Sequence, residues 1–300
     1  MEFLGFARPD GSVGVRNKIL IASMDADINR LCLNVASSVI NMVPVPGWPD
    51  KKRYADYLST LAANPNVAGL VILDQSSEGF GEAVAKTVQD MGKPSVLINI
   101  GDSGGIIEAG ARATRAAMLM AREISTQRRQ PTPVSRLVVG LIYRDESGTG
   151  DLLYHSIAAL EKNHGRALIY RDAAEKKTLI GKFPVIKKVD EGGKVGRQQG
   201  LYELKASAGS DGILMTMASL GVQLVVDATG GGYTKSHTIM PVINITADKD
   251  HFERLRDVIE LDLSHLDFSN YKIEDYSLLI VNEIIATASG KMTKAEALKF

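Results

Sequence analysis

Short apolar runs that alternate with longer amphipathic stretches dominate the first half of the chain. Residues 18–23 (KILIAS), 68–74 (AGLVILD) and 94–101 (PSVLINIG) are apolar almost throughout, and each precedes a stretch in which apolar residues recur at helical spacing. A strand that is buried on both faces reads as a continuous apolar run, and parallel neighbours need crossover connections that are usually helical. The pattern therefore predicts an α/β layered fold with a mostly parallel sheet.

A second α/β layer follows a break near residue 129. The helix predicted over residues 105–124 runs into the polar segment 125–133, whose two prolines end it. Strands are then predicted at residues 136–143, 167–170, 222–227 and 241–246, and helices at 152–163, 211–220 and 273–286. We therefore predict two α/β domains, residues 1–128 and 129–300. The segment 181–200, rich in glycine and lysine, is predicted to be a loop or excursion.

Charge and composition exclude several classes of protein. The 300 residues carry 35 basic and 35 acidic side chains, with no basic run interleaved with aromatic residues. No apolar stretch has the length that crosses a bilayer. We therefore expect no nucleic-acid partner, no membrane partner and a cytoplasmic location. The one cysteine, Cys32, excludes an internal disulfide, and its apolar neighbours indicate a buried helical residue rather than a reactive thiol.

Two polar segments of the first half follow predicted strands. Ligands of open α/β sheets bind beyond the carboxyl ends of the strands, so these segments are candidate sites. Asp25 and Asp27 follow the first strand as candidate metal ligands, and an N-cap role for Asp27 is the alternative. Glu78 follows the second strand as a candidate acid or base, with Ser77 as a substrate contact. Here a helix cap at Ser76 or Ser77 is the alternative.

Three further segments have ligand-binding character. Gly104 and Gly105 precede the predicted helix at 105–124, where free backbone amides can cradle an anion, and a simple turn is the alternative. Segment 144–151 (RDESGTGD) combines an arginine that can bind a carboxylate with acids that can move protons. Segment 229–237 (TGGGYTKSH) fits neither a phosphate loop nor a dinucleotide fingerprint, and a surface loop is the alternative. The candidates in these last two segments are Arg144, Asp145, Ser147, Thr229, Gly230, Gly231, Tyr233, Lys235 and His237.

Six motifs, in order along the chain, resemble those of a known family. They are RPDGSVGVRN at 8–17, NPNV at 64–67, a glycine pair at 104–105, TG at 229–230, PVINI at 241–245 and ASGKMTKAE at 288–296. Together they resemble the altronate and galactarate dehydratases, in the large-subunit catalytic region, from residue 5 to residue 300. The resemblance implies a lyase that removes water from a polyhydroxy acid, commonly with a divalent metal and acid/base groups.

The chain departs from this family pattern where the family carries cysteines and an arginine. Trp48 follows Gly47 in place of a cysteine, residues 75–78 read QSSE in place of LGCE, and residues 143–147 read YRDES in place of CGGSD. Gly231 replaces the arginine of the family's TTGRG loop. Serine and tryptophan cannot replace a thiolate ligand, so the chain resembles a divergent member that lacks the family's cysteine site residues.

Three interpretations remain open. The first is a lyase or related acid/base enzyme on a small (poly)hydroxy carboxylate, with Glu78, Asp145, Lys235 and His237 as catalytic residues. The second is a non-catalytic subunit or ligand-binding paralogue that pairs with an active partner. The third is a Mg²⁺ or Mn²⁺ enzyme with carboxylate ligands such as Asp25, Asp27, Glu78 and Asp145. The candidate substrate-binding residues are Ser77, Gly104, Gly105, Arg144, Ser147, Thr229, Gly230, Gly231 and Tyr233. A homo-oligomer or a separate small subunit is the expected assembly.

Overall fold

The chain forms two compact α/β units, as a computed structural model shows. It describes residues 1–143, 149–171, 185–193, 195–205, 210–228, 236–266 and 272–298. One unit comprises Phe6–Arg129, and the other comprises Met1–Gly5 together with Gln130–Phe300. Helices cover mostly parallel sheets, so the predicted fold class is confirmed. No helix within the described residues has the length and apolar character needed to cross a membrane.

The first unit is built on four parallel strands. In chain order its elements are β1 (Glu2–Ala7, which begins in the other unit), β2 (Val13–Gly14), β3 (Lys18–Ser23), α1 (Asn29–Ser38), β4 (Met42–Val45), α2 (Lys51–Ala63), β5 (Val67–Asp74), α3 (Phe80–Asp90), β6 (Ser95–Asn99) and α4 (Ile106–Ile124). Within the described residues the strand order of the sheet is β4-β3-β5-β6. All eight residues of β5 are buried, as expected for a central strand that is covered on both faces.

Helices α1 and α4 cover one face of this sheet. Ala109, Ala113 and Ala117 recur at every fourth position of α4 and lie fully buried in the core cluster on that face. Cys32 of α1 lies in the same cluster, and its Sγ donates to the carbonyl of Ile21 at 3.2 Å. Burial raises the pKa of the Cys32 thiol to about 11, so the prediction of a structural cysteine is confirmed.

The second unit is built on a larger parallel sheet. Its further elements are β7 (Gln130–Pro133), β8 (Val138–Tyr143), α5 (Gly150–Lys162), β9 (Arg166–Arg171), β10 (Val185–Asp190), β11 (Gly200–Lys205), α6 (Ser210–Ser219), β12 (Leu224–Ala228), β13 (Val242–Thr246), α7 (Lys249–Leu255), β14 (Leu261–Asp262), α8 (Ile273–Ala288) and α9 (Lys294–Leu298). Seven strands of the described part pair in the order β10-β11-β9-β8-β12-β13-β14. The first residues of β1 add an antiparallel pairing with β7, from Glu2 with Pro133 to Gly5 with Gln130.

The segment 181–200 was predicted as a loop, and this prediction is wrong in part. Its described residues include β10, whose Val185–Asp190 pairs in parallel with β11. The sequence VIKKVD gives little apolar signal, because this strand lies at the edge of the sheet and carries exposed Lys187 and Lys188. Edge strands commonly carry such lysines, which prevent pairing with other chains.

An arginine and an asparagine fasten the segment before β3 to the amino end of the first sheet. The Arg8 guanidinium donates to the carbonyls of Pro65 at 2.7 Å and Arg16 at 3.0 Å. The side-chain oxygen of Asn66 accepts from the backbone N–H groups of Val15 at 2.8 Å and Arg16 at 3.2 Å. Arg8, Asn66 and the neighbouring Lys93 form what we call the amino-edge cluster.

Lys93 brings a buried amine into the amino-edge cluster. Its Nζ donates to the carbonyls of Ala62 at 2.7 Å and Asn64 at 2.8 Å, and only 3% of the residue is exposed. Burial, with a smaller contribution from the nearby Arg8, lowers the pKa of Lys93 to about 7. Space here is also tight, because a Cβ on Gly14 would lie 2.2 Å from the carbonyl oxygen of Pro65.

Replacing Lys93 with methionine should change how stability depends on pH. The folded chain loses the Lys93 proton near pH 7, whereas the unfolded chain keeps it up to its ordinary pKa of 10.5. Between these values unfolding takes up a proton, so the free energy of unfolding rises with pH. Urea titrations should show the free energy of unfolding of wild type rising, relative to that of Lys93→Met, by roughly 1 kcal/mol per pH unit between about pH 7 and pH 9. Parallel pH curves for the two proteins would contradict the assignment.

Candidate functional site

The loops that leave β3, β5 and β6 meet at the carboxyl edge of the first sheet, and we call this region the carboxyl-edge site. Parallel strands deliver their carboxyl ends to one edge, where open α/β sheets bind ligands. The backbone N–H of Ile100 donates to the carbonyl of Asp74 at 2.9 Å, and the N–H of Met24 donates to that of Leu73 at 2.8 Å. These bonds fix the three loops side by side.

A lysine held by two carboxylates occupies one end of the carboxyl-edge site. Lys51 Nζ forms an ion pair with Asp25 and lies 3.2 Å from Glu78 Oε2. The second oxygen of Asp25 accepts from the backbone N–H of Gln75 at 2.9 Å. The side chains of Asp25, Lys51 and Glu78 are 14%, 27% and 55% exposed. Asp25 raises the pKa of the Lys51 amine, so this cation is fixed beside a more accessible carboxylate.

Sequence reasoning identified Asp25 and Glu78 but missed Lys51. The lysine opens α2, and its partner Asp25 lies 26 positions earlier in the chain, so no local spacing connects them. One signal was available: a cation in the first turn of a helix is disfavoured by the helix dipole and calls for a compensating acid. Lys51 fits this description.

Hydrogen bonds extend from this lysine cluster across β5 to β6. Buried Asp74 accepts from both the N–H and the hydroxyl of Ser76, at 2.8 and 2.9 Å. The side-chain amide of Asn99 donates to the carbonyl of Ser76 at 3.3 Å, while its oxygen accepts from the N–H of Gly101 at 2.9 Å. The polar groups of the edge are therefore ordered before any ligand arrives, which is what efficient binding and catalysis require.

The N-terminus of α4 lies at the end of this network. Gly104 and Gly105 have φ angles of 84° and 117°, which side-chain-bearing residues rarely adopt. Gly105 caps the 19-residue helix without a side-chain hydrogen bond, so the first-turn amides face the carboxyl edge. A cavity of about 420 Å³ is lined here by residues that include Asp74, Asn99 and Ser103. The glycine pair thus has the geometry of an anion cradle beside a cavity.

The alternative capping roles are wrong for both acidic segments of the first unit. Gly79, with φ of 81°, caps α3, and neither Ser76 nor Ser77 does. Asp27 lies exposed in a 3₁₀ turn over Ala26–Ile28, and the residue that caps α1 is Ile28. Ser77 is exposed at the carboxyl edge, next to Glu78.

Aromatic packing fills the position where the resemblance places the first missing cysteine. The Trp48 ring stacks on Tyr57, with centroids 4.8 Å apart and planes 19° apart, and meets Tyr54 edge-on at 5.5 Å. The Tyr54 hydroxyl donates to the carbonyl of Val45 at 2.5 Å. This corner of the first unit is built as a packed aromatic cluster.

The described residues do not fit a divalent metal. Within the ranges that the structure describes, no group of three or more His, Cys, Asp or Glu side chains is placed to hold an ion. Of the two weak metal candidates, Asp25 is already bound by Lys51 and Gln75, and Asp27 is exposed. We therefore assign no chemical step to a metal.

His237 is the one catalytic candidate of the second unit that falls within the described residues. Its Nδ1 accepts from the backbone N–H of Ile239 at 3.3 Å, which places the proton of the neutral ring on Nε2. Burial lowers the pKa of His237 to about 4, so the half-buried ring is neutral at pH 7. The other candidates of this unit, Arg144, Asp145, Ser147, Thr229, Gly230, Gly231, Tyr233 and Lys235, lie outside the described residues.

The carboxyl edge of the second sheet carries polar residues that sequence reasoning missed. Asp227, near the end of β12, is buried and pairs in register with buried Asn244 on β13. His251 is also buried, with Nδ1 3.2 Å from the hydroxyl of Thr246. Local sequence does not encode the strand register that places Asp227 opposite Asn244.

The ASGKMTKAE tail has a structural role. Lys291 Nζ lies 2.6 Å from the buried carboxylate of Glu283. Thr293 and Glu296 form a capping box at the start of α9, with the Thr293 N–H donating to Glu296 at 3.0 Å. The Lys294 N–H donates to Glu260 at 2.8 Å. These contacts attach the end of the chain to the second unit.

Comparisons with known proteins cover nearly the whole chain. Residues 5–125 match the model described as "D-galactarate dehydratase/Altronate hydrolase, second domain", and residues 173–300 match "D-galactarate/Altronate dehydratase, C-terminal". A curated relative from Chromohalobacter salexigens, (2R)-sulfolactate sulfo-lyase subunit beta, is 23% identical over 370 residues. That alignment covers 99% of this chain and 95% of the relative.

Double-mutant cycles should separate the two ion pairs of Lys51. Asp25 is 14% exposed and bonded on both oxygens, so combining Asp25→Asn with Lys51→Met should reveal a coupling of about 1 kcal/mol in urea unfolding. Glu78 is 55% exposed, and the same cycle with Glu78→Gln should give a coupling near zero. A larger coupling of Lys51 to Glu78 than to Asp25 would contradict the assignment of Asp25 as the stronger of the two ion-pair partners.

Proposed function

The chain belongs to the D-galactarate and altronate dehydratase family, and we propose that it is the large subunit of a lyase that acts on a small 2-hydroxy carboxylate. The relative named as a sulfo-lyase subunit supports elimination chemistry of this kind. Galactarate, altronate and sulfolactate are all 2-hydroxy carboxylates, which defines the proposed substrate class.

The observation that carries this proposal is the ordered network from Lys51 to the N-terminus of α4. It combines a fixed cation, an accessible carboxylate and an anion cradle on one sheet edge, and the linking residues Ser76 and Asn99 line a cavity. The substrate carboxylate would bind the first-turn amides after Gly104 and Gly105, with the hydroxyl of Ser77 as a further contact.

Glu78 is the proposed base. Its carboxylate takes the proton from the carbon beside the substrate carboxylate, and the C–H electron pair becomes a C=C bond. The leaving group departs from the next carbon with the electrons of its own bond, and the enol product tautomerises to a keto acid. Lys51 stays protonated because Asp25 raises its pKa, and it stabilises the negative charge that develops on the substrate. Asp25 acts on the reaction through Lys51 and is a positioning residue.

Candidate acid/base and substrate-binding residues also lie in the sequence of the second unit. His237 is neutral at pH 7, so its Nε2–H can donate a hydrogen bond without adding charge. Asp145 and Lys235 are proposed as further acid/base groups. The proposed substrate contacts of this unit are Arg144, Ser147, Thr229, Gly230, Gly231 and Tyr233.

A separate partner subunit is part of the proposal. The curated relative is named as a beta subunit, which supports assembly with a different chain. A non-catalytic subunit is the second candidate function. The packing of Trp48 on Tyr57, at the position of a missing family cysteine, favours it because that corner is filled by protein.

Replacing Glu78 with glutamine should abolish turnover without unfolding the chain. Glu78 is exposed and its loss leaves no buried charge, so the variant should have the melting temperature of wild type. Removing a general base typically costs a factor of about 10²–10⁴ in kcat. The assay incubates the protein with galactarate, altronate or sulfolactate and measures keto acid by mass spectrometry and sulfite release by colorimetry.

Asp90→Asn is the matched control, because Asp90 is an exposed carboxylate at the far end of α3. It should turn over substrate at the wild-type rate. Full activity of Glu78→Gln would remove Glu78 from the mechanism. Wild-type protein that binds these acids without converting them would favour the non-catalytic subunit.

A further inference from the structure

Asp74 is a buried carboxylate to which the proposed reaction gives no role. It is the last residue of β5, it is 3% exposed, and it lines the cavity of about 420 Å³ at the carboxyl edge. Its Oδ1 accepts from the N–H and the hydroxyl of Ser76, at 2.8 and 2.9 Å. Within the part of the chain that the structure describes, its Oδ2 has no hydrogen-bond partner. A buried polar atom needs a partner, so this oxygen is available to a group that enters the cavity.

Gly81 makes the space that this oxygen occupies. A Cβ at residue 81 would lie 2.5 Å from Asp74 Oδ2, which is closer than Cβ atoms approach such neighbours. The glycine is buried in the first turn of α3, so backbone rather than a side chain lies beside the oxygen. The turn that Asp74 forms with Ser76 uses Oδ1 alone. The local structural role of Asp74 therefore leaves Oδ2 for a second role.

The rest of the cavity wall adds little positive charge. Glu82 and Asp102 also line the cavity, and because both are exposed, solvent weakens their electrostatic effect. Among the described residues of the wall, Arg112 carries the positive charge, and its Nε already lies 3.3 Å from Oε1 of Glu108. Asp74 is thus the buried charged group of the wall, and a carboxylate can only accept hydrogen bonds.

We propose that Asp74 is a specificity-determining residue, which accepts a hydrogen bond from a substrate hydroxyl and excludes a second anionic group. This inference rests on the proposed function, because it takes the substrate carboxylate to bind the amides after Gly104 and Gly105. The remainder of the substrate then extends into the cavity that Asp74 lines.

The physical reason for the selection is the sign of the charge that meets Asp74. A hydroxyl in the cavity donates to Oδ2 and satisfies it. A carboxylate or sulfonate at the same place would bring two negative charges together beside a buried group, where water screens their repulsion poorly. The favoured substrate class is therefore a monoanion, with one carboxylate and an uncharged tail that carries hydroxyl groups.

Matched pairs of acids test this selection by direct binding. Galactonate and galactarate differ at one end, where a hydroxymethyl group stands in place of a carboxylate. Glycerate and sulfolactate differ in the same way, with a hydroxyl in place of a sulfonate. In isothermal titration calorimetry of the full chain, the hydroxyl member of each pair that binds should have a Kd at least roughly tenfold lower than its anionic counterpart.

Replacing Asp74 with asparagine should remove this selection. Asp74→Asn keeps the shape of the side chain and an oxygen for the turn with Ser76, but it offers a donating amide in place of Oδ2. The Kd of the hydroxyl member should rise and that of the anionic member should fall, so their ratio should drop roughly tenfold. Asp90→Asn, at the exposed far end of α3, is the matched control and should keep the wild-type ratio.

Circular dichroism first establishes that each variant is folded. Equal binding of the two members of a pair by wild type would overturn the inference and leave the proposed function standing, as would an unchanged ratio in folded Asp74→Asn. If that variant does not fold, the wild-type ratio alone decides. Binding of none of the four acids would overturn the proposed function, and the inference with it.

Discussion

The first unit depends on how two buried basic side chains at the amino edge of its sheet are hydrogen-bonded. Arg8 and Lys93 each lose hydration on folding, which lowers both pKa values, and backbone carbonyls replace the lost water. Asn66 completes the arrangement by holding two backbone amides of the segment before β3. These contacts fasten the segment that leads into β3 to the loop before β5.

The motifs that make the family recognisable are therefore largely structural. RPDG and NPNV supply the amino-edge cluster, and the ASGKMTKAE tail supplies the cap of α9 and the ion pair of Lys291 with Glu283. Within the described residues, Gln75, Ser76 and Ser77 differ from the family pattern and lie instead at the carboxyl edge, where a ligand binds in folds of this class. A chain can keep the first set for stability while the second set changes, so family and activity are separable here.

Periodicity predicted the elements that have a strong apolar signal. Strand β3 and helix α4 were predicted to within one residue, because a buried strand reads as a continuous apolar run and α4 repeats buried alanines. Strand β4 was missed because four residues with a proline give little signal. At the site, Glu78 and the glycine pair were identified as candidates because they come directly after predicted strands. The Asp25–Lys51 ion pair and the Asp227–Asn244 pairing depend on tertiary contacts and register, which local sequence does not encode.

We propose that the carboxyl edge binds a small 2-hydroxy carboxylate while the amino edge holds the fold. Hydrogen exchange with mass spectrometry, with and without galactarate, altronate or sulfolactate, can separate these two roles. At least one of these acids should slow exchange in residues 74–79 and 99–108, with exchange in the segment 8–17 unchanged. Protection confined to the amino edge, or no protection of the carboxyl edge by any of the three acids, would contradict it.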